Sequence, residues 1–161
     1  MKKWWLLVFA LLLTGCGTSQ TFETVSDEIV QSVMAQPREI SVRLPDNAIA
    51  PVLESDTEQV YLSEEYEILL QTLSAGDLDA TIRTLSGYGR DQVTVIQTKQ
   101  EDVVRSEFVW VSAGEQGSRL GRAVILDDGH HHYCLSVLRD AQEQKMSQVV
   151  WSDVFASFQL V

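Results

Sequence analysis

The chain has 161 residues, of which 12 are Lys or Arg and 23 are Asp or Glu, so its formal net charge at pH 7 is −11. A surface this acidic repels phosphate backbones and lacks the basic stripe that nucleic-acid binding requires, which excludes nucleic acid as a partner. The length fits one domain with a core of its own.

The start of the chain has the pattern of an export signal. Residues 1–3 are Met-Lys-Lys, residues 4–13 are apolar, and small residues follow up to Cys16. This order is typical of a secretory signal peptide. About 20 apolar residues are needed to cross the hydrocarbon core as a helix, so the apolar run is too short for a permanent span. The sequence therefore predicts a removable signal peptide over residues 1–15.

The residues around the predicted cleavage point carry a resemblance: Leu13, Thr14, Gly15 and Cys16 resemble the lipobox of bacterial lipoproteins. The resemblance implies that the Cys16 thiol is diacylated and that the signal peptidase cuts just before this residue. Two or three acyl chains together make membrane attachment stable. We therefore expect a covalent lipid on Cys16, a lipidated tether over residues 16–20, and a location on the extracytoplasmic face of the cell membrane. The alternative is an ordinary secretory signal with a coincidental Cys16.

The first half of the predicted domain combines a helix with short strands. Apolar residues at three- and four-residue spacing predict a helix over 22–35, which Pro37 ends. Alternation of polar and apolar residues predicts a strand over 39–44. Two further strands, over 59–62 and 66–73, are expected to form a hairpin.

A short helix leads into a strand-rich second half. Residues 76–85 are predicted to form this helix, with Asp77 as its cap and Gly87 as its stop. The Asp-Gly pair at residues 128–129 is the strongest hairpin signal in the chain. A broad apolar stripe predicts a closing helix over about 140–157. Four strands are predicted between the two helices: 92–98, 103–112, 119–126 and 130–138.

This order of elements predicts the fold class. Consecutive antiparallel strands with helices packed on the sheet indicate an α+β domain. We expect a single antiparallel sheet of about five to seven strands covered by helices. One domain is expected over residues 21–161.

The second half also carries a resemblance to a known family. An alternating strand from Tyr133 to Val137 is followed by an acidic linker and a closing helix that ends in Phe155-Ala-Ser-Phe158. This arrangement resembles the PsbP/DcrB-like α/β/α sandwich proteins, over about residues 37–160, and is also similar to lipoproteins of gut Firmicutes. The resemblance implies an extracytoplasmic, lipid-anchored protein. That family shares no catalytic residues, so none is carried over to this chain.

Residues 130–134, His-His-His-Tyr-Cys, are the only cluster in the sequence with side chains typical of metal ligands. Alternation on a strand places His130, His132 and Cys134 on one face, where two imidazoles and a thiolate could share a zinc ion. No second cluster of ligands stands elsewhere in the sequence to complete a tetrahedron. The alternative is a solvated histidine tract beside a small buried cysteine. No resident cofactor is expected apart from the covalent lipid.

Signals for catalysis are missing from the sequence. The glycines of residues 86–90 lack the Lys-Ser/Thr of a phosphate loop, and they fit a helix cap followed by a turn. No nucleophile elbow, zinc-protease motif or cysteine-protease signature occurs. The acid pairs at 64–65 and 127–128 are expected in solvated turns, and Trp110 and Trp151 in the core. We therefore expect a protein that is not an enzyme.

Three functions remain open at this point. The first is a membrane-anchored, non-catalytic binding or accessory module of the cell envelope, whose partner is another envelope protein docked on a strand edge or an uncovered sheet face. The second is a carrier of a metal or small ligand on the His130, His132 and Cys134 face. The third is a hydrolase with a dispersed site.

Overall fold

The computed structural model describes residues 35–114, 117–141 and 148–161. Ala35–Val161 forms one compact unit. The predicted signal peptide, the tether and all but the last residue of the predicted helix 22–35 lie outside the described residues. Within the described ranges, no helix has both the length and the apolar character that crossing a membrane requires.

Most of the regular structure consists of strands. In chain order these are β1 Ile40–Ser41, β2 Leu53–Glu54, β3 Glu58–Leu62, β4 Tyr66–Ser74, β5 Ile96–Gln100, β6 Val103–Gly114, β7 Gly117–Asp127, β8 His131–Asp140 and β9 Gln159–Leu160. Seven of them form one antiparallel sheet in the order β2-β3-β4-β8-β7-β6-β5. The remaining two, β1 and β9, pair with each other in a separate small sheet.

Two helices lie in the described residues: α1, Leu78–Ser86, and α2, Gln148–Ser157. The Asp77 side chain caps α1 by accepting a hydrogen bond from the backbone N–H of Asp79, which satisfies one of the free donors of the first turn. Gly87 ends the helix in the left-handed conformation at φ 79°, which glycine adopts without steric cost. The predicted cap and stop of this helix are therefore confirmed.

The sheet has a core on each face, because successive side chains of a strand point to opposite sides. On one face, α2 packs on side chains of the central strands, and this first core contains Tyr66, Ile68, Leu70, Val124, Leu126, Tyr133, Leu135, Val137, Trp151, Val154, Phe155 and Phe158. On the other face, α1 packs on a second core of Ile82, Phe108, Trp110, Ala123, Ile125 and Cys134. We call these two sides the α2 face and the α1 face.

The predicted fold class is wrong: the described domain is mainly β, not an α+β sandwich covered by helices. Strands account for 49% of it. The helices have nine and ten residues, which makes each about 14–15 Å long, whereas seven strands spaced by about 4.8 Å span about 29 Å. Each helix therefore covers part of its face. Large apolar side chains stay more than half exposed on both sides, among them Val109, Val111 and Leu62.

Three predicted boundaries also differ. The closing helix does not start at Asp140, because β8 extends to this residue and pairs it with Arg119 of β7. Of the predicted strand 39–44, only Ile40–Ser41 is a strand. The predicted strand 92–98 begins at Ile96 instead, because the side chains before it pack on the second core without strand pairing.

Residues 35–44, which we call the strap, cross the first core in extended form. Ile40, Val42 and Leu44 pack against that core, which explains the alternation in the sequence. Side chains bind two backbone donors of the strap: the N–H of Arg38 donates to the Tyr133 hydroxyl at 2.7 Å, and that of Arg43 donates to Ser157 Oγ at 2.8 Å.

Candidate functional site

The predicted metal ligands lie at the start of β8. His132 and Cys134 are on the α1 face, as alternation predicts, and both are fully buried. His130 precedes the strand and is exposed in the turn. The described part of the chain has no group of three or more His, Cys, Asp or Glu side chains that could hold a metal ion. The structure thus brings together two of the three predicted ligands.

The contacts of His132 are those of a residue that holds two elements together. Its Nδ1 lies 2.8 Å from Thr81 Oγ1 of helix α1, and its Nε2 lies 3.7 Å from Asp127 Oδ2 of the adjacent strand. A buried polar ring needs such partners, since an unpaired one would cost about 1–3 kcal/mol. His132 therefore ties α1 to the sheet.

Cys134 lies in the second core and is poorly suited to bind metal. Burial raises the pKa of its thiol to about 12. A metal ligand has to be the thiolate, which burial in apolar surroundings disfavours. The small side chain instead belongs to the second core with Ile82 and Ile125, as expected for an unreactive buried cysteine.

Asp128 organises the turn before β8. Its Oδ1 accepts hydrogen bonds from the backbone N–H groups of His130 and His131, and its Oδ2 accepts one from the Tyr133 hydroxyl at 2.9 Å. Burial raises the pKa of Asp128, but these hydrogen bonds outweigh it, so the pKa lies below its ordinary value. The turn that was predicted to be solvated thus also connects to the strap, because the Tyr133 hydroxyl accepts a hydrogen bond from the Arg38 N–H.

Another feature with the capacity to bind a ligand lies beside helix α2. A cavity of about 380 Å³ opens there between the helix and residues of three strands. Small-ligand pockets have volumes of about 300–1,000 Å³, so this volume is adequate for a small molecule. We call it the α2 cavity; it is lined by Val109, Leu120, Arg122, Val137, Arg139, Trp151, Ser152 and Phe155.

The register of β6, β7 and β8 builds the floor of the α2 cavity. One row of directly opposite residues consists of Val109, Arg122 and Val137, one from each strand. The next row on the same face contains Leu120 and Arg139, which are also directly opposite. Apolar side chains thus alternate with two arginines across neighbouring strands.

An ion-paired network holds Arg122 in position. Its guanidinium donates to Glu107 Oε2 at 3.0 Å and lies 4.2 Å from the centre of the Phe155 ring. Glu107 also accepts from Arg105 Nε at 2.7 Å. Burial raises the pKa of Glu107, but the hydrogen bonds from Arg105 and Arg122 outweigh it, so the pKa lies below the ordinary value. The carboxylate is therefore charged and fixes the position of Arg122 at the cavity wall.

Trp151 forms part of the helical wall of the cavity. It is 6% exposed and packs edge-on against Tyr66, with ring centres 5.2 Å apart. Its indole Nε1 is buried and has no hydrogen-bond acceptor among the described residues. A buried N–H without a partner is costly, so this group is an unsatisfied donor within the packing of helix α2 on the sheet.

Sequence reasoning did not identify the α2 cavity. The signal was present in β7 and β8, where Arg122 and Arg139 occur among residues that alternate as in a half-buried strand. A charged residue in such a position marks a place where the sheet face is not closed by core. Which arginines meet depends on strand register, which the alternation alone does not fix. Trp151, predicted as core, is buried as expected and also lines the cavity.

The lipobox residues Leu13, Thr14, Gly15 and Cys16 lie outside the described residues. No protein-family model matches the chain. No curated protein sequence matches it either.

Proposed function

We propose that this chain is a lipid-anchored extracytoplasmic protein that acts as a non-catalytic binding module of the cell envelope, and that the α2 cavity is its binding site. The observation that carries the proposal is an open cavity with apolar walls and two arginines on a sheet face that helix α2 covers only in part. Apolar walls with a few polar groups are typical of ligand sites.

The chemistry of the cavity supports binding over catalysis. Its described lining residues include two cations and one hydroxyl but no carboxylate, histidine or cysteine. The nearest carboxylate in the network, Glu107, is occupied by two guanidinium groups. Such a site supplies charge and contact area, whereas general acid–base chemistry needs a group that exchanges a proton near neutral pH.

The anchor part of the proposal rests on Cys16 and the residues before it. Cells that express the wild-type chain or the Cys16→Ser variant are grown with a radiolabelled fatty acid. We expect label in the wild type and none in the variant, because the acyl acceptor is gone, and we expect the variant to be released or to remain as unprocessed precursor. Cys134→Ala is the matched control and is expected to keep the label. Label retained in Cys16→Ser would contradict the anchor.

The binding part is tested with two variants of equal surface exposure. Val109, at the α2 cavity, and Leu62, on the α1 face, are 55% and 56% exposed. The wild type, Val109→Glu and Leu62→Glu are each purified from native membranes, and the molecules that copurify are identified by mass spectrometry. We expect at least one species that depends on Val109 and is unaffected by Leu62→Glu. Identical profiles for all three proteins would contradict a binding role for the cavity.

A further inference from the structure

We propose that residues 48–53, which we call the apolar loop, insert into the surface of the membrane that carries the lipid anchor at Cys16. The partner of this loop is the boundary between headgroups and acyl chains in a bilayer without net negative charge. The inference rests on the lipid anchor of the proposed function and adds a second membrane contact to it. It does not depend on the α2 cavity.

The apolar loop exposes three large aliphatic side chains within five residues. Its sequence is Ala-Ile-Ala-Pro-Val-Leu, and its last residue begins β2. Ile49, Val52 and Leu53 are 89%, 62% and 51% exposed. No charged residue occurs between Asp46 and Glu54, although 22% of the chain is charged. Single exposed apolar residues are ordinary, whereas a contiguous set of them marks a contact with a protein or a membrane.

The fold holds the apolar loop at both ends. On the side of the strap, the hydroxyl of the buried Tyr66 donates to Asn47 Oδ1 at 2.7 Å. On the other side, the Val52 N–H donates to the Val60 carbonyl at 2.7 Å, and Leu53 pairs with Val60 in the sheet. The apolar side chains between these attachments are therefore presented in a fixed position, which lowers the ordering cost of a contact.

The composition of the loop fits a lipid surface better than a protein surface. Its six side chains carry no hydrogen-bonding group. Protein interfaces are enriched in aromatic residues, Met and Arg, and the loop contains none of these. Contact with the acyl boundary of a bilayer requires only apolar side chains.

The chain before the domain is long enough to let the loop reach the membrane. Residue 35 and Ala48 are 13 residues apart, so the distance between them is at most about 47 Å. The 19 residues from Cys16 to residue 35 can span about 63 Å when extended. Such a connection keeps the loop at an effective concentration of about millimolar near the bilayer. A small apolar contact is therefore sufficient.

The charge of the chain determines which bilayer the loop fits. The carboxylates of Asp46 and Glu54 border the loop, and the chain as a whole has a net charge of −11. Both repel anionic headgroups. The contact therefore depends on apolar insertion and favours lipids that are zwitterionic or uncharged.

The test couples residues 16–161 through the Cys16 thiol to a maleimide lipid in phosphatidylcholine vesicles. Chemical coupling replaces the acyl chains, so the experiment does not require lipidation in cells. Cys134 is buried and is not expected to react. Ile49→Trp places a fluorescent side chain in the loop. Ile96→Trp is the matched control, because Ile96 is 65% exposed on β5, at the opposite edge of the sheet.

Insertion is measured with brominated acyl chains, which quench tryptophan on contact. We expect the added tryptophan of Ile49→Trp to be quenched at least about threefold more than that of Ile96→Trp, with a blue shift of its emission. The native Trp110 and Trp151 are each 6% exposed, and their signal is subtracted with the chain that has no added tryptophan.

Two further measurements test the apolar character of the contact. Val52→Glu, added to Ile49→Trp, is expected to abolish the quenching, because a carboxylate would have to enter the apolar layer. High salt is expected to leave the quenching of Ile49→Trp unchanged, since salt screens charges and not apolar contact. Thermal unfolding of each variant checks that the fold is intact.

The outcomes distinguish this inference from the proposed function. Absence of quenching in Ile49→Trp, equal quenching of the two added tryptophans, or loss of quenching in high salt would overturn the inference. A blue shift with native membranes but none with vesicles of their extracted lipids would assign the loop to a protein partner and would also overturn it. Absence of fatty-acid label on Cys16 in cells would instead remove the anchor, whatever the coupled vesicles show.

Discussion

At residue scale, Gly121 shows how one position can be fixed by its neighbour across the sheet. It lies in the middle of β7, directly opposite Trp110 of β6. A Cβ atom at this position would overlap Cε2, Cζ2 and Cδ2 of the indole ring. The ring of Trp110 therefore lies over the glycine and closes the second core. A glycine inside a strand signals a close approach, but the sequence does not name the approaching residue.

We predict that Gly121→Ala destabilises the domain by roughly 1–3 kcal/mol, because Trp110 has to move from a packed position. Chemical denaturation monitored by tryptophan fluorescence measures the change. Gly76→Ala is the control: a Cβ there meets its nearest atom at 4.0 Å, and we expect a change within about 0.5 kcal/mol. Equal stability of Gly121→Ala and the wild type would contradict the overlap.

Cys134 gives a second prediction at this scale. Burial raises the pKa of its thiol to about 12, so the native protein holds almost no reactive thiolate at neutral pH. In the Cys16→Ser chain we expect no reaction with a thiol reagent until the protein is unfolded, and then one equivalent. Adding Thr98→Cys on exposed β5 provides a reactive control. Rapid modification of the native Cys16→Ser chain would show that Cys134 is accessible.

At the scale of elements, local signals predicted α1 best. Its cap, its stop and its apolar side are all within the helix or next to it, so the sequence contains the information. Strand positions were also predicted by alternation, most clearly for β6, β7 and β8. The strap misled the prediction because its alternation reflects packing against the first core, whereas most of its backbone is not paired as a strand.

Helix α2 depends on a contact that the sequence does not reveal. The guanidinium of Arg105 donates to the backbone carbonyls of Phe155 at 2.8 Å and Phe158 at 3.2 Å, at the carboxyl end of the helix. A cation at this end satisfies free carbonyl groups and interacts favourably with the helix dipole. Glu107 holds Arg105 in place, so the same carboxylate supports both the helix and the α2 cavity.

We predict that Glu107→Gln lowers stability by about 1–2 kcal/mol at pH 7 and that this difference vanishes in acid. The folded-state pKa of Glu107 lies below its ordinary value of 4.5. Its contribution is therefore complete above about pH 4.5 and is lost as the pH falls through the folded-state value. Unfolding curves of both proteins between pH 7 and pH 3 measure it.

Glu64→Gln, in the exposed turn between β3 and β4, removes the same charge from the surface and serves as the control for that experiment. We expect a difference from the wild type of no more than about 0.5 kcal/mol at any of these pH values. A Glu107→Gln difference that does not decrease as the pH falls below 4.5 would show that charge on this carboxylate is not its source.

At the scale of the whole molecule, the sequence predicted the positions of the helices and strands better than the proportion of helix to strand. Antiparallel order followed from consecutive strands, but the α+β class was wrong because the described helices are too short to cover the sheet. The α2 cavity was not predicted for a related reason. It combines residues of β6, β7, β8 and α2, which become neighbours only once register and helix position are fixed.

The pairing of β1 with β9 gives a prediction at this scale. Ile40 pairs with Leu160, and the N–H of Val161 donates to the Glu39 carbonyl at 2.9 Å. Deleting residues 159–161 is expected to loosen the strap and lower stability by roughly 1–3 kcal/mol, since backbone hydrogen bonds and the packing of Leu160 are lost. Hydrogen exchange at residues 38–44 should accelerate.

Gln159→Ala is the control for the deletion, because it removes an exposed side chain and leaves the backbone pairing in place. We expect its exchange rates to match those of the wild type. Unchanged exchange after the deletion would mean that the strap is held by its other contacts alone.

The strap also determines how the domain responds to a mechanical load. Tension applied at residue 35 is carried first by the contacts of the strap. These are its apolar packing on the first core, the two-residue pairing of β1 with β9, the two N–H groups bound by the Tyr133 and Ser157 hydroxyls, and the ion pair of Arg38 with Asp102 at 3.7 Å. These few contacts would yield one after another, at low force. The hydrogen bonds between β6, β7 and β8 would remain intact. The strap would therefore detach and lengthen the connecting segment before the sheet unfolds.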